Sequence, residues 1–169
     1  PDAQRIGATI RADIAPAAAD QPAGPLYSVL LNGLRNALES LAESNIGADP
    51  RRGGTVELAA TCEAPPPGHR VRWICITVTD DGIGPPTGPD AHRLFEHGFT
   101  TKSGGHGLGL ALSRSIVRDL HGTIQLMPRL SGATPRGGAI LRIAIPAITG
   151  EPWKTPVSDA GNAQPEAHE

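Results

Sequence analysis

The chain has 169 residues and a mass of 17.5 kDa, which is the size of one domain built around a single core. Hydrophobic residues make up 38% of it, and its 21 Gly and 17 Pro stay below the share that marks low-complexity chains, so collagen and wholesale disorder are excluded. The net charge of -2 gives no basic field for a phosphate backbone, so nucleic acid is not expected as a partner. No apolar run reaches membrane-spanning length and no signal peptide is visible, so we expect a cytoplasmic domain.

The first part of the chain predicts a strand and then a helix. Apolar residues alternate with polar or small ones over residues 6–14, which is the pattern of a half-buried strand, and the Ala-, Pro- and Gly-rich residues 16–25 break it. Over residues 26–43 apolar side chains recur every three or four positions, so we expect an amphipathic helix there. Residues 44–54 are predicted to form a loop.

The middle of the chain predicts a β-hairpin followed by a long loop. Residues 56–62 alternate in polarity and residues 71–79 form a β-branched run, so the two segments are expected to pair across the turn between them. Residues 82–106 are rich in Gly and Pro and leave room for only a short helix around residues 90–96. A loop of this length in a small domain is usually functional or mobile.

A second helix and two more strands are predicted before the end of the chain. The helix starts near Leu108 and ends before Gly122, a glycine that we expect to take the left-handed cap conformation. Residues 124–127 and 139–145 read as strands. Residues 149–169 carry Pro, Gly and charges with little periodicity, and they are predicted to be a flexible tail.

The two cysteines, Cys62 and Cys75, both fall inside predicted strands. This placement suits reduced thiols that pack in the interior better than a disulfide scaffold or a zinc site. We therefore expect them to be structural.

Four short clusters carry the polar chemistry of the chain, and the first lies on the first helix. Asn32 and Asn36 are four residues apart and share one helical face with Ser40. Carboxamide oxygens are hard ligands suited to Mg²⁺, and carboxamide nitrogens can bond phosphate oxygens. Taken alone, the same pattern also fits a solvated polar stripe.

The second cluster, Asp80-Asp81-Gly82-Ile83-Gly84, ends the strongly β-forming run. A carboxylate at a strand end can accept a hydrogen bond from an exocyclic amine such as that of adenine, and the glycines let the backbone approach a flat ligand. An ordinary strand-ending turn explains the same residues, because Asp-Gly turns are common.

The third cluster lies in the Gly-rich loop and contains both phenylalanines of the chain, Phe95 and Phe99. They are followed by two hydroxyl side chains and a lysine, Thr100, Thr101 and Lys102, a combination suited to a polyphosphate. The alternative is a loop pinned by two aromatic anchors.

The fourth cluster places Gly105, Gly107 and Gly109 directly before the helix that starts near Leu108. Glycines there expose backbone N–H groups at a helix N-terminus, where the helix dipole favours phosphate. No Gly-Lys-Ser/Thr follows, so this is not a P-loop. A loop instead of a strand precedes it, so it is not a dinucleotide fingerprint either.

The order of the four clusters over residues 5–146 resembles the catalytic ATP-binding domain of sensor histidine kinases. That domain belongs to a superfamily that also holds DNA gyrase, Hsp90 and MutL. The resemblance implies a two-layer α/β sandwich of the Bergerat type, with a mixed sheet of about five strands, about three helices and a nucleotide lid near residues 85–105. It assigns residues 1–148 to the ATP-binding kinase domain and leaves residues 149–169 as the tail.

The same resemblance implies a role for each motif residue. Asn36 would bind Mg²⁺, Asn32 would lie on the phosphate side, and Asp80, with Gly82 and Gly84, would bind adenine. Asn32, Asn36 and Lys102 are the candidate catalytic residues. The other predicted nucleotide-binding residues are Phe95, Phe99, Thr100, Thr101, Lys102, Gly105, Gly107, Leu108 and Gly109.

The resemblance also separates a kinase from a hydrolase. The ATP-hydrolysing branch has a glutamate as general base four residues before the magnesium asparagine, and Asn32 stands there instead. A carboxamide is no useful base near neutral pH, so the γ-phosphoryl group is kept for another acceptor. We therefore expect an ATP-dependent protein-histidine kinase domain that uses ATP and Mg²⁺. The alternatives are a GHKL-type ATPase and a nucleotide-binding module without catalysis.

None of the six histidines fits the acceptor pattern of this family. We therefore expect the acceptor on a dimerisation domain outside this chain, a response regulator as indirect partner, a monomeric fragment, and a parent protein that is either soluble or membrane-anchored. One departure from the family pattern is that Glu39 stands where kinases often have a basic residue, three positions after Asn36.

Overall fold

The computed structural model describes residues 3–22, 24–44, 54–102, 105–131 and 134–147. In this part of the chain five strands and three α-helices follow one another, with one short 3-10 helix between β3 and α3. In chain order they are β1 Thr9–Ile14, α1 Pro16–Ala19, α2 Leu26–Ser44, β2 Thr55–Glu63, β3 Trp73–Asp80, the 3-10 helix Gly88–His92, α3 Gly109–Asp119, β4 Thr123–Ser131 and β5 Thr134–Pro146.

The strands form one mixed sheet in the order β1-β2-β3-β5-β4. β1 and β2 are parallel, and every other neighbouring pair is antiparallel. The predicted hairpin is β2–β3, in which Val56 pairs with Asp80 and Glu63 pairs with Trp73. β3 therefore lies in the middle of the sheet, and its last residue is the carboxylate that the sequence singled out.

The helices cover one face of the sheet. The buried core lies between α2, α3 and that face, and Val29, Leu41, Val117, Ile143 and Ile145 are almost completely buried in it. Burying each such aliphatic side chain contributes about 1.5–3 kcal/mol to folding. Alternate residues of β2, such as Glu57, Thr61 and Glu63, are exposed on the opposite face. The predicted two-layer α/β sandwich with a mixed five-stranded sheet is confirmed.

Three local predictions need correction. The first strand is shorter than residues 6–14, and Ile10 and Ile14 are 49% and 39% exposed because β1 is an edge strand. The predicted break after it contains α1, which Pro16 begins, since the fixed φ of proline suits the first helical turn. The predicted helix over residues 90–96 is replaced by the short 3-10 helix Gly88–His92. None of the side chains of this 3-10 helix is buried, so no packing stabilises a longer helix here.

The end of α3 also differs from the prediction. The left-handed residue is His121, with φ of 58°, and not Gly122. The His121 N–H bonds to the carbonyl of Arg118 at 2.8 Å, and the Gly122 N–H bonds to that of Val117 at 2.8 Å, which together form a Schellman motif. Gly122 is needed for a different reason, because a Cβ there would lie 2.5 Å from the carbonyl oxygen of Ala144.

Cys62 and Cys75 are both free thiols, as predicted. Cys75 is buried, and this burial raises the pKa of its thiol. Within the ranges that the structure describes, no helix combines the length and the apolar character needed to cross a bilayer. The predicted tail, residues 149–169, and most of the predicted loop, residues 45–53, lie outside the described residues.

Candidate functional site

A cleft of about 700 Å³ opens between α2, the end of β3 and the loop that precedes α3. It brings together most of the predicted site residues, which come from all four sequence clusters. Those in its lining are Asn32, Asn36, Asp80, Gly84, Phe99, Thr100, Thr101, Lys102, Gly105, Gly107, Leu108 and Gly109. Two predicted residues, Gly82 and Phe95, lie beside the cleft instead of lining it.

One end of the cleft holds the carboxylate of Asp80, which is only 4% exposed. Its Oδ1 accepts a hydrogen bond from Ser40 Oγ at 3.2 Å and another from the Gly82 N–H at 2.9 Å. Burial raises the pKa of Asp80 above its ordinary value, although these hydrogen bonds favour the charged form. The group is therefore a fixed, buried acceptor for a donor from a ligand.

Gly82 holds the turn after β3 against α2. A Cβ on Gly82 would lie 2.2 Å from Ser40 Oγ and 2.6 Å from the Ser40 carbonyl carbon, so no side chain fits there. Gly84 has φ of 80° and faces the carbonyl oxygen of Gly138, 2.8 Å from where its Cβ would be. Without side chains at these two glycines, the turn after β3 packs closely against α2 on one side and against Gly138 on the other.

Asn32 connects α2 to α3 across the cleft. Its Nδ2 lies 3.4 Å from the carbonyl oxygen of Gly109 and 3.4 Å from Ser113 Oγ, and donates to both. Ser113 is buried, and its hydroxyl donates to the same Gly109 oxygen at 2.8 Å. The nitrogen of Asn32 is therefore committed to helix packing, and its oxygen carries whatever polar role the side chain has toward a ligand.

Asn36 lies one turn of α2 after Asn32 and meets Lys102 of the loop. Lys102 Nζ lies 3.4 Å from Asn36 Oδ1 and also donates to Glu39 Oε2. Glu39 Oε1 accepts from Arg35 Nε at 2.9 Å. Burial alone would raise the pKa of Glu39, but the hydrogen bonds from Lys102 and Arg35 outweigh it, and the pKa is lowered.

The loop before α3 is held in place by close contacts between its own backbone atoms. Gly107 has φ of 64°, and a Cβ there would lie 2.4 Å from the carbonyl carbon of Gly98 and 2.6 Å from the oxygen of Phe99. The Gly98 N–H bonds to the Gly107 oxygen at 3.1 Å. Phe95 lies under the guanidinium of Arg114 on α3, 6.0 Å from its ring centre. Phe95 therefore positions the loop from outside the cleft.

The N-terminus of α3 points backbone donors into the same space. Leu108 is the N-cap, and its side chain caps nothing. The Leu112 N–H bonds to the Leu108 oxygen at 2.9 Å, so the N–H groups just before Leu112 have no partner within the helix. Gly107 and Gly109 have no side chains that could cover these donors, an arrangement that suits an anion at a helix N-terminus.

Sequence reasoning gave no site role to several residues of the cleft. The spacing predicts Ser40 on the face of the two asparagines, but its hydrogen bond to Asp80 is visible only in the fold. Glu39 stands out in the sequence only as a departure from a family pattern, and the close packing of Gly138 against the backbone of Asp80 is visible only in the fold. The apolar walls also went unassigned; they include Ile83, Leu110, Leu126 and Leu141.

The chain is similar to known proteins in sequence and in fold. The model of the histidine kinase-, DNA gyrase B-, and HSP90-like ATPase family matches residues 22–149. The C4-dicarboxylate transport sensor protein DctB of Rhizobium meliloti (strain 1021) is 38% identical over 110 residues, 64% of this chain and 15% of the relative. Sporulation kinase B of Bacillus subtilis (strain 168) is 31% identical over 114 residues, 68% of this chain and 24% of the relative. The chain thus spans about a seventh to a quarter of the length of these relatives.

Solved structures share the fold. The mycobacterial sensor histidine kinase MprB superposes with a TM-score of 0.60 at 23% identity, over 85% of each chain. Full-length ShkA, solved in complex with AMPPNP, superposes with a TM-score of 0.60 at 25% identity, over 88% of this chain and 27% of that one. The family model covers well over half of the residues, and the relatives are sensor kinases. The chain therefore belongs to the histidine kinase-, DNA gyrase B-, and HSP90-like ATPase family, as an ATP-binding catalytic domain of the kind that sensor histidine kinases carry.

Proposed function

We propose that this domain binds Mg-ATP in the cleft and transfers the γ-phosphoryl group to a histidine on the dimerisation domain of a longer parent protein. A response regulator would then receive the phosphoryl group from that histidine. The observation that carries this proposal is the single cleft that joins the buried carboxylate of Asp80 to the side chains of Asn36 and Lys102. Its two ends differ in chemistry as the two ends of ATP do.

The Asp80 end suits adenine. An ionised carboxylate held by Ser40 and Gly82 accepts a hydrogen bond from the exocyclic amine of the base. Ile83, Leu126 and Leu141 line the cleft and give a flat apolar ring surfaces to pack against.

The other end suits a triphosphate. Backbone N–H groups at the start of α3 and the ammonium of Lys102 are donors for phosphate oxygens. Asn36 supplies a hard carboxamide oxygen for Mg²⁺, and this oxygen already accepts from a cation, the Lys102 ammonium. When bound, the metal neutralises charge on the phosphates. Phosphoryl transfer mainly requires such neutralisation together with in-line positioning.

Transfer to a protein acceptor is favoured over hydrolysis by Asn32. Its nitrogen donates to Gly109 and Ser113, and its oxygen is not basic enough to activate water. Water attack is therefore slow, which preserves the γ-phosphoryl group for the acceptor. ATP is a cytoplasmic substrate, so we place the domain in the cytoplasm. The domain itself is proposed to be a monomeric unit that is attached to the dimerisation helices of its parent protein.

The test is phosphotransfer within the parent protein, with ATP labelled on the γ-phosphate. We expect an acid-labile, base-stable label on the protein, typical of phosphohistidine, which disappears in Asn36→Ala. The matched control is Gln125→Ala, which removes an exposed carboxamide on β4 outside the cleft lining and should leave the label intact. Release of free phosphate with no label on any histidine would overturn the proposal.

A further inference from the structure

One ammonium group sits between two oxygens of α2. Lys102 Nζ lies 3.4 Å from Asn36 Oδ1 and donates to Glu39 Oε2. Asn36 and Glu39 are three residues apart on the helix, so their side chains project from neighbouring positions on one face. Arg35 holds the second carboxylate oxygen of Glu39 at 2.9 Å, so the oxygen facing Lys102 is fixed in orientation. The arrangement is a small cation site built by the protein and filled by its own lysine.

We infer that Asn36 Oδ1 and Glu39 Oε2 are both protein ligands of the magnesium ion that accompanies ATP. The Lys102 ammonium occupies the metal position between these two oxygens until ATP and the metal bind. The inference rests on the proposed function and adds to it a second metal ligand, Glu39. It also gives Lys102 two successive partners, the carboxylate first and the phosphates afterwards.

The donor chemistry fits this role. Mg²⁺ prefers hard oxygen ligands and is usually held by one or two carboxylates together with substrate phosphates. Among the described residues there is no cluster of three or more His, Cys, Asp or Glu side chains that could hold a metal by itself. A carboxamide and one carboxylate therefore hold the metal only weakly without phosphate oxygens, so tight metal binding is expected only together with the nucleotide.

Charge gives a second reason. Glu39 lines the cleft wall beside Asn36 and is 23% exposed. A carboxylate there would repel a triphosphate unless a cation stood between them, because like charges a few ångströms apart repel each other strongly near a protein surface. Lys102 balances Glu39 before ATP binds, and a divalent ion balances both Glu39 and the phosphates afterwards. Lys102 lines the cleft, so its ammonium has phosphate oxygens within the same space to turn to once it leaves Glu39.

The test measures metal binding directly, with Mn²⁺ as the probe and its electron paramagnetic resonance signal as the readout. Mn²⁺ is titrated into the 169-residue chain at a fixed, saturating concentration of ATP. For Glu39→Gln we expect half-saturation at about ten-fold higher Mn²⁺ or more. Affinity for metal-free ATP should be unchanged or higher. Glu39→Asp, which keeps the charge, should recover part of the loss.

Lys102 is tested without nucleotide. If it occupies the metal site, Lys102→Gln should make Mn²⁺ bind more tightly to the ATP-free chain, and the double variant with Glu39→Gln should remove that gain. Glu63→Gln is the matched control, because Glu63 is also ion-paired, with Arg142 at 3.6 Å, but lies at the other end of the sheet. Its Mn²⁺ binding should equal that of the wild type.

The outcomes separate this inference from the proposed function. A wild-type chain that binds no ATP would overturn both. Equal Mn²⁺ affinity of wild type and Glu39→Gln in the presence of ATP would overturn only the role of Glu39 as a ligand. The same holds if Glu39→Gln weakens ATP binding equally with and without metal, since Glu39 would then act on the structure of the cleft alone.

Discussion

Gly138 of β5 lies so close to Asp80 that a Cβ on Gly138 would be 2.0 Å from the Asp80 carbonyl oxygen and 2.8 Å from its carbonyl carbon. The φ of Gly138 is 92°, a backbone conformation that side chains with a Cβ rarely adopt. β5 pairs antiparallel with β3, and at Gly138 its backbone comes into direct contact with the last residue of β3. The position of the buried carboxylate depends on this contact between two backbones.

Gly138→Ala is expected to destabilise the domain much more than Gly68→Ala. Both glycines have positive φ, but a Cβ on Gly68 would meet nothing within 4 Å. Gly68→Ala should cost about 1 kcal/mol from the backbone conformation alone. Gly138→Ala should cost about 3 kcal/mol or more, since the clash with Asp80 adds to the same penalty. Denaturant unfolding measures both, and equal losses would show that the close contact has no energetic weight.

Asp80→Asn is expected to weaken ATP binding without loss of stability. The variant loses a charge-assisted hydrogen bond to the adenine amine, worth about 1.5–3 kcal/mol, or about 10- to 100-fold in affinity. Burial raises the pKa of Asp80, so its charged form destabilises the folded state at neutral pH. The free energy of unfolding should therefore be equal or higher in the variant at pH 7. A clear loss of stability at pH 7 would contradict this.

The affinity for ATP is expected to fall as the pH is lowered, and to begin falling at a higher pH than for an ordinary aspartate. The pKa of Asp80 is raised in the folded protein, so its carboxylate gains a proton, and loses its charge, earlier in an acid titration. By the same linkage, protonation of Asp80 raises the free energy of unfolding of the wild type, relative to that of Asp80→Asn, as the pH falls through this pKa. Calorimetric titration of ATP over a pH series checks the first effect. Asp80→Asn should lack this pH dependence.

Asn32→Asp is expected to convert part of the activity into ATP hydrolysis. The variant keeps the shape of the side chain and places a base four residues before Asn36. It loses two long hydrogen bonds, each 3.4 Å, but gains a charge near the N-terminus of α3, so stability should change by no more than about 1 kcal/mol. Phosphate release by the chain alone should rise about ten-fold or more, since general bases contribute about 100-fold or more when well placed.

Control variants make that experiment specific. Asn32→Asp combined with Asp80→Asn should show a much smaller increase in phosphate release at subsaturating ATP, because the second substitution weakens ATP binding by about 10- to 100-fold. An unchanged rate in the single variant, with intact ATP binding, would mean that Asn32 does not face the position of the attacking water.

Local patterns predicted most of the fold and of the cleft lining. The helix carrying Asn32 and Asn36 and the strand ending at Asp80 are each encoded within a few residues, by periodicity of 3.6 or of 2. The Gly-rich segment before α3 likewise signals its helix terminus on its own. That the four clusters meet was predictable from their order in a known family, and the structure places them along one cleft.

The unpredicted features depend on residues far apart in sequence. Glu39 and Lys102 are 63 residues apart, and no local pattern indicates that a lysine of the loop will pair with that carboxylate. The close approach of Gly138 to Asp80 is likewise set by strand pairing between β3 and β5. The family motif predicts that Phe95 contacts the nucleotide, whereas its ring lies beside Arg114 of α3.

The observed left-handed residue at the end of α3 leads to a stability prediction. His121 occupies the left-handed position of the Schellman motif with φ of 58°, a conformation that is strained for a residue with a Cβ. His121→Gly removes this strain, which for a non-glycine residue is about 1 kcal/mol, although the extra freedom of glycine in the unfolded chain offsets part of it. We expect a net gain of about 0.5 kcal/mol in the free energy of unfolding.

Gly122→Ala should do the opposite and cost about 2 kcal/mol, because its Cβ would lie 2.5 Å from the Ala144 oxygen and 2.6 Å from Ile145 Cγ2. Denaturant unfolding of the two single variants and of the double variant checks both signs. If Gly122 were the left-handed residue that the sequence indicated, His121→Gly would lower the stability, since glycine at an ordinary helical position costs about 1 kcal/mol.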